Sequence, residues 1–319
     1  MYKHTLNKRV SIFNVSRILK RNYFDETNPI PIILHPSWLG QKHIGVSLSP
    51  YLIKNEFQKK QYLDNYFKSN TLQYRCPQIN FMNSGAKNED LIEDLENLYK
   101  VNASIDMPRI NIGGDHSMSI STLAYTLNNY PDAKVLWFDA HPDLNTYEKS
   151  DTKNVHGMPL SFLSQLDKHY AHNFSFINNP LCLHNLLYVG IRSIDEYEKE
   201  IIEKYNISYI PSNIVNKHTE ETVCIIKNFI NNSPFHLSID VDVLSSDIMP
   251  CTGTPVDEGI RFLQLKNIVN KISAIQNLVN VDIVELNIIN GDHNIITRND
   301  CLEKTTLLLQ NILKNMAKL

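Results

Sequence analysis

The sequence predicts an α/β protein whose parallel sheet is covered on both faces. Three observations carry this reading. Short apolar runs recur without polar alternation, as strands buried on both faces require. Longer segments of helical period lie between them. No repeat, low-complexity stretch or linker interrupts the alternation over 319 residues, so one domain spanning 31–319 is expected, preceded by an N-terminal extension, 1–30.

The expected strands, in order, are Pro31–Leu34, Gln73–Phe81, Pro108–Ile112, Lys134–Phe138, Leu186–Val189, Ile207–Ile210, Pro234–Ile239 and Val279–Leu286. Leu91, Ile92, Leu95, Leu98 and Val101 form one apolar stripe at helical spacing. Ser117–Asn129 is expected to be a helix capped by Ser117, and Asp195–Tyr205 follows the same logic. In Thr219–Asn231 the acids Glu220 and Glu221 fill the first turn, where the helix dipole favours them. Phe262–Ile275 and Asp300–Leu313 complete the set.

Composition narrows the class. Charged residues at 20%, hydrophobic residues at 42% and a net charge of -3 fit a soluble globular protein. That charge gives no reason to expect nucleic acid or an anionic membrane as partner. No apolar run approaches the roughly 18 residues of a membrane span. The five cysteines are scattered and lack a C-x-x-C pair, which argues against a disulfide framework or a thiolate zinc site and for small buried hydrophobes. A cytoplasmic location is expected. Residues 1–24 carry basic side chains and no acid, as organelle transit peptides do, and Ala317-Lys318-Leu319 is near a peroxisomal address. The two signals contradict each other.

In open parallel sheets, ligands bind beyond the carboxyl ends of the strands, and the polar clusters sit there. One expected strand runs into Gly113-Gly114-Asp115-His116-Ser117. Others run into Asp139-Ala140-His141-Pro142-Asp143, into Asp240-Val241-Asp242, and into Glu285. Two imidazoles (His116, His141) and four carboxylates (Asp139, Asp143, Asp240, Asp242) thereby reach one edge. Oxygen-rich sites with some nitrogen and no sulfur suit hard or borderline divalent ions such as manganese. Four carboxylates crowd one ion, because their mutual repulsion raises a pKa. Two ions about 3.5–4 Å apart balance the charge and activate water at neutral pH. The reaction class is metal-assisted hydrolysis.

At these residues the chain resembles the ureohydrolase family, the arginases and agmatinases. Gly113-Gly114-Asp115-His116-Ser117, Asp139-Ala140-His141-Pro142-Asp143 and Ser238-Ile239-Asp240-Val241-Asp242 carry the likeness, with Thr252-Gly253-Thr254-Pro255 and Glu285-Leu286-Asn287 downstream. The resemblance implies a three-layer α/β/α fold on a mainly parallel eight-stranded sheet, and two Mn2+ per subunit. It implies His116, Asp139, Asp143 and Asp240 around one ion, and His141, Asp139, Asp240 and Asp242 around the other. The segment Asp143-Leu144-Asn145 through Thr152 to Asn154-Val155-His156-Gly157 is most like the arginase version of this loop. There Asn145, Thr152 and Asn154 bind the α-carboxylate of a small guanidino substrate, and agmatine would leave these donors unpaired. The resemblance further implies that Asp195 contacts the α-amino group and that Thr254 and Glu285 lie near the guanidinium. Asp143, His156 and Glu285 form the implied catalytic set, His156 being the proton shuttle. The implied reaction converts L-arginine to L-ornithine and urea, in a homo-oligomer of three or six chains. The alternatives are a ureohydrolase for agmatine, guanidinobutyrate or formimidoylglutamate, and a non-catalytic homologue. The chain departs from the family in Ser245-Ser246, Pro142 and Val256-Asp257-Glu258-Gly259, and keeps its early glycine-rich loop only as Gly40-Gln41 and Gly45-Val46.

Overall fold

The computed structural model describes residues 30–59, 71–73, 88–291 and 293–317. The expectations for the N-terminal extension, for strand residues 74–81, for Cys76 and for Lys318-Leu319 lie outside these. Eight strands form one sheet: β1 (Ile32–His35), β2 (Thr71–Gln73), β3 (Arg109–Gly113), β4 (Lys134–Phe138), β5 (Leu186–Val189), β6 (Ser208–Ile210), β7 (Phe235–Asp240) and β8 (Leu278–Val284). Their spatial order is β2-β1-β3-β8-β7-β4-β5-β6, and every neighbouring pair is parallel. Among the described residues no helix is long and apolar enough to cross a membrane.

Successive strand residues face opposite layers. Leu136 and Phe138 of β4 join Leu237, Ile239, Val281 and Ile283 beneath the helices Ser49–Lys59, Thr219–Ile230, Phe262–Ile272 and Ile295–Met316. Val135 and Trp137 join Leu186 and Tyr188 beneath the helices Asn88–Ala103, Ser119–Asn129, Pro159–Leu163 and Glu196–Lys204. Each Leu or Ile taken fully from water contributes about 1.5–3 kcal/mol, well above any helix or strand propensity. Two-sided burial is what makes these runs strands.

A strand apolar on both faces specifies its register weakly, since a one-residue slip exchanges one apolar set for another. Buried polar groups do that job here. Asp282 on β8 is fully buried and accepts hydrogen bonds from Asn111 (2.8 Å), Ser119 (2.9 Å) and Thr122 (2.5 Å), with His236 Nε2 at 3.0 Å. Burial alone raises its carboxyl, yet His236 and the two hydroxyls hold it below the usual carboxylate range. Any slip of β3 or β7 against β8 strands these groups without partners.

The structure corrects several boundaries. The second strand already includes Thr71 and Leu72, ahead of the expected start at Gln73. Ser117 is not a cap: the Asp115 carboxylate accepts its N–H at 2.9 Å, starting a 3-10 turn at His116–Met118 that runs into the α-helix at Ser119. A carboxylate is as good a cap as a hydroxyl and also faces the positive helix end. The final helix begins at Ile295 because Asn294 accepts from Thr297 N–H at 2.9 Å. Helix Phe262–Ile272 ends earlier than expected, and helix Ser49–Lys59, with Pro50 in its first turn, was not anticipated. Cys251 and Cys301 are buried as expected, whereas Cys182 and Cys224 are exposed.

The tips of β1 and β3 meet where Gly114 N–H donates to His35 O at 2.9 Å and Asp115 N–H to Ser37 O at 3.1 Å. A Cβ on Gly114 would stand 1.8 Å from the Ser37 carbonyl oxygen, which is backbone and cannot swing aside. Gly114→Ala is therefore expected to destabilise the fold by about 2 kcal/mol or more. Urea denaturation reads this, and a loss under about 0.5 kcal/mol would contradict the close approach.

Candidate metal centre and active site

Five neighbouring strands of the sheet, β3, β8, β7, β4 and β5, deliver the polar residues to one edge. Asp139 follows β4, Asp240 ends β7 and His116 follows β3. His116 Nε2 lies 2.8 Å from Ser238 Oγ on β7, and its ring stacks on Trp137 at 4.1 Å and 8°. This fixes Nδ1 toward Asp143 (3.0 Å), Asp139 (3.1 Å) and Asp240 (3.4 Å). His141 Nδ1 faces Asp242 at 3.1 Å and Asp139 at 3.5 Å.

Backbone and side-chain donors aim the carboxylates. Asp139 accepts from Trp137 Nε1 at 3.1 Å and from His141 N–H at 2.7 Å. Asp242 N–H donates to Asp240 at 2.8 Å. Asp242 accepts from Ala140 N–H at 3.1 Å and from Thr254 Oγ1 at 3.1 Å. Two ligand-like groups result, His116-Asp139-Asp240 and Asp139-His141-Asp242, with atoms within 4.8 Å of one another in each. Asp139 belongs to both; Asp240 belongs only to the first, while Asp143 reaches that group through His116.

Beside them opens a cavity. His141, Asp143, His156 and Thr254 line it, together with Asn145, Thr152, Asn154 and Asp195. Asn145 Nδ2 donates to Asp195 at 2.8 Å, so the amide orients the acid. Glu285 lies behind His156, off the cavity wall. Its oxygens accept from Gln41 Nε2 (2.9 and 2.7 Å) and His116 N–H (2.9 Å), and one is 2.9 Å from His156 Nδ1.

The sequence matches the Arginase family over residues 30–317. The chain belongs to the arginase family. It is 30% identical over 292 residues to an arginase of Schizosaccharomyces pombe, covering 87% of this chain and 90% of that one. It is 33% identical over 273 residues to an arginase of Entamoeba histolytica, covering 81% and 90% respectively. Among solved structures, the Entamoeba histolytica arginase in complex with L-ornithine superposes with a TM-score of 0.75 at 27% identity, over 88% of this chain and 98% of the other. A formimidoylglutamase from Bacillus subtilis shares the fold, with a TM-score of 0.71 at 21% identity over 91% and 87% of the chains.

An arginase-family hydrolase is metal-dependent, and the residues present fit a metal. His116 Nδ1 is buried and makes no well-directed hydrogen bond, although three carboxylates surround it. Such convergence of unsatisfied lone pairs is what a cation relieves. The charge pattern agrees. Burial and the Asp139 charge push the Asp143 carboxyl up to about 7, and burial with Asp242 and Asp139 drives Asp240 well above its ordinary range. Asp139 is held below that range despite burial, by hydrogen bonds with His116 and His141. The cluster lacks positive charge, and divalent ions supply it.

Several residues of the site were not singled out in the sequence. Ser150, Ser193 and Glu198 line the cavity. Glu198 accepts from Leu144 N–H at 3.0 Å and Asp195 N–H at 3.1 Å, joining the segments after β4 and β5. Burial pushes its carboxyl up to about 7. The spacing of Asp195 and Glu198 at a helix start was the available signal. Gln41 had none: nothing local ties it to Glu285, far along the chain.

Burial lowers the His156 imidazole, but the Glu285 charge and hydrogen bond outweigh it and push the group up to about 9. A raised pKa contributes stability that is complete below the unfolded value of about 6.5 and lost as pH rises through the folded value. Chelator-treated wild-type protein is expected to lose on the order of 2 kcal/mol of unfolding free energy between about pH 6.5 and 9.5, relative to His156→Asn. Urea titrations at several pH values read this, and identical pH dependences for the two proteins would refute the ion pair.

Proposed function

We propose that this arginase-family hydrolase holds two manganese ions and cleaves the guanidinium of L-arginine to L-ornithine and urea. The reading is carried by one juxtaposition: two ligand groups sharing Asp139, beside a cavity lined by neutral amide and hydroxyl donors and by Asp195. His116, Asp139, Asp143 and Asp240 would hold one ion, and His141, Asp139, Asp240 and Asp242 the other. Bound there, divalent metal chemistry supplies a water-derived nucleophile at neutral pH and a sink for developing negative charge.

The remaining roles belong to side chains. Asn145, Thr152 and Asn154 present uncharged donors to an α-carboxylate, and Asp195 presents an acceptor to an α-amino group. Agmatine has no carboxylate to pair with those donors, so it forgoes hydrogen bonds worth about 0.5–1.5 kcal/mol each. Thr254, whose hydroxyl is already on Asp242, marks the guanidinium end. His156, held protonated by Glu285, is placed to give a proton to the departing amine. Asp143, on the cavity wall beside His116, is placed to take up the proton released from water. Glu285 acts through His156, which it orients and keeps charged, because its own oxygens are already engaged. The L-ornithine bound to the Entamoeba histolytica relative supports an amino-acid product. Residues 31–319 are read as one catalytic domain in a homo-oligomer of three or six chains, a mass that sedimentation reads directly.

The deciding experiment is a substrate panel with manganese-loaded protein, following product release from L-arginine, agmatine, 4-guanidinobutyrate and N-formimidoylglutamate. L-arginine is expected to give a kcat/KM at least about tenfold above agmatine, equivalent to about 1.4 kcal/mol of discrimination. A preference for agmatine would sink the L-arginine reading and leave the hydrolase class intact. Asn154→Asp sets a carboxylate against the substrate's own and is expected to raise KM about tenfold with kcat nearly unchanged. An unaltered KM would make Asn154 an ordinary loop residue.

A further inference from the structure

Arg192 leaves the tip of β5 just after Gly190, whose φ of +100° turns the chain sharply. Its guanidinium donates only to main-chain carbonyls. Nε reaches Asp257 O at 2.7 Å, and Nη1 reaches Gly190 O at 3.1 Å and Val243 O at 3.4 Å. Nη2 reaches Asp242 O at 2.8 Å, Val256 O at 2.9 Å and Leu244 O at 3.1 Å. Its backbone N–H holds Ala140 O at 2.9 Å. The side chain thus ties the segments that follow β5 and β7 to the loop at 256–257, and the backbone of the same residue holds the segment that follows β4.

Those ties converge on Asp242. Its carboxylate is aimed by two donors, Ala140 N–H and Thr254 Oγ1. Ala140 carries the carbonyl held by the Arg192 backbone N–H, and Thr254 stands just before Val256 and Asp257, whose carbonyls the guanidinium grips. The Asp242 carbonyl itself is the third point held. We propose that Arg192 is a positioning residue that sets Asp242 and Thr254 in place, and with them the His141 half of the metal site. The metal part of this assignment rests on the two-ion reading above; the positioning part does not.

A planar fork of five N–H donors can serve carbonyls spread around it, whereas an ammonium offers one point and three donors. A Cβ on Gly259 would stand 2.7 Å from Arg192 Nη2, so this glycine packs against the guanidinium. A residue that merely filled volume would affect the whole layer alike. A positioning residue loosens only the segments it holds.

Arg192→Lys and Arg192→Gln are compared with wild type in two measurements. In chelator-treated protein, amide hydrogen exchange is expected to quicken at least tenfold in peptides covering 139–145, 240–246 and 252–260. Peptides covering 109–129 should exchange at the wild-type rate. In manganese calorimetry, one of the two binding steps should lose at least tenfold in affinity while the other changes less than threefold, with the glutamine variant more affected than the lysine. Exchange quickened throughout the sheet, as in a variant that folds poorly, would make Arg192 a general structural residue and overturn the proposal. Unchanged exchange in the three segments would overturn it too. If wild type takes up fewer than two ions, the two-ion reading falls, and the exchange data still decide the role of Arg192.

Discussion

Like charges crowded at the ends of adjacent parallel strands are the constraint on which the rest of this structure depends. Asp139, Asp143, Asp240 and Asp242 are all buried, with the imidazoles of His116 and His141 set among them. Burying an uncompensated carboxylate costs several kcal/mol, and a parallel sheet concentrates such groups because every strand ends on the same edge. The surrounding architecture manages that cost. Backbone N–H groups of His141, Ala140 and Asp242 and the indole of Trp137 each donate to a carboxylate oxygen. What these dipoles leave unbalanced defines the need for cations, so the same crowding that strains the fold creates its chemistry.

A second layer of organisation lies behind the first. Glu285 takes hydrogen bonds from Gln41 and His116 N–H and pairs with His156, from three separate segments. Ser238 sets the ring of His116, and Asp282 anchors the sheet one layer below. Gln41, Glu285, Ser238 and Asp282 do not line the cavity. They determine where the facing groups stand, which is the usual division between residues that touch a ligand and residues that hold them.

Much of this was legible in the sequence because it rests on local pattern. The sheet followed from unbroken apolar runs, and the edge carrying the polar residues followed from the rule for parallel sheets. Asp139-x-His141-x-Asp143 announced itself by spacing alone. The illegible part depends on contacts between distant segments. Gln41 with Glu285 leaves no local trace, and neither do the carbonyls gathered by Arg192. Glu285 illustrates a subtler gap: its resemblance placed it at the guanidinium, while its hydrogen bonds place it behind His156. Where asparagine is abundant, a true cap such as Asn294 is also indistinguishable from ordinary loop composition.

The order of strands has a consequence for how the molecule assembles. β8, the last strand among the described residues, lies between β3 and β7, at the middle of the sheet. Until it inserts, β3 and β7 each present an unpaired edge, and Glu285 is absent from beside His156. The N-terminal part of the chain therefore cannot close its own sheet during synthesis. Pairings of high sequence separation form slowly and leave such edges open to other chains. Assembly of the site is thereby postponed to the final stage of folding, when the last strand enters and joins the two halves.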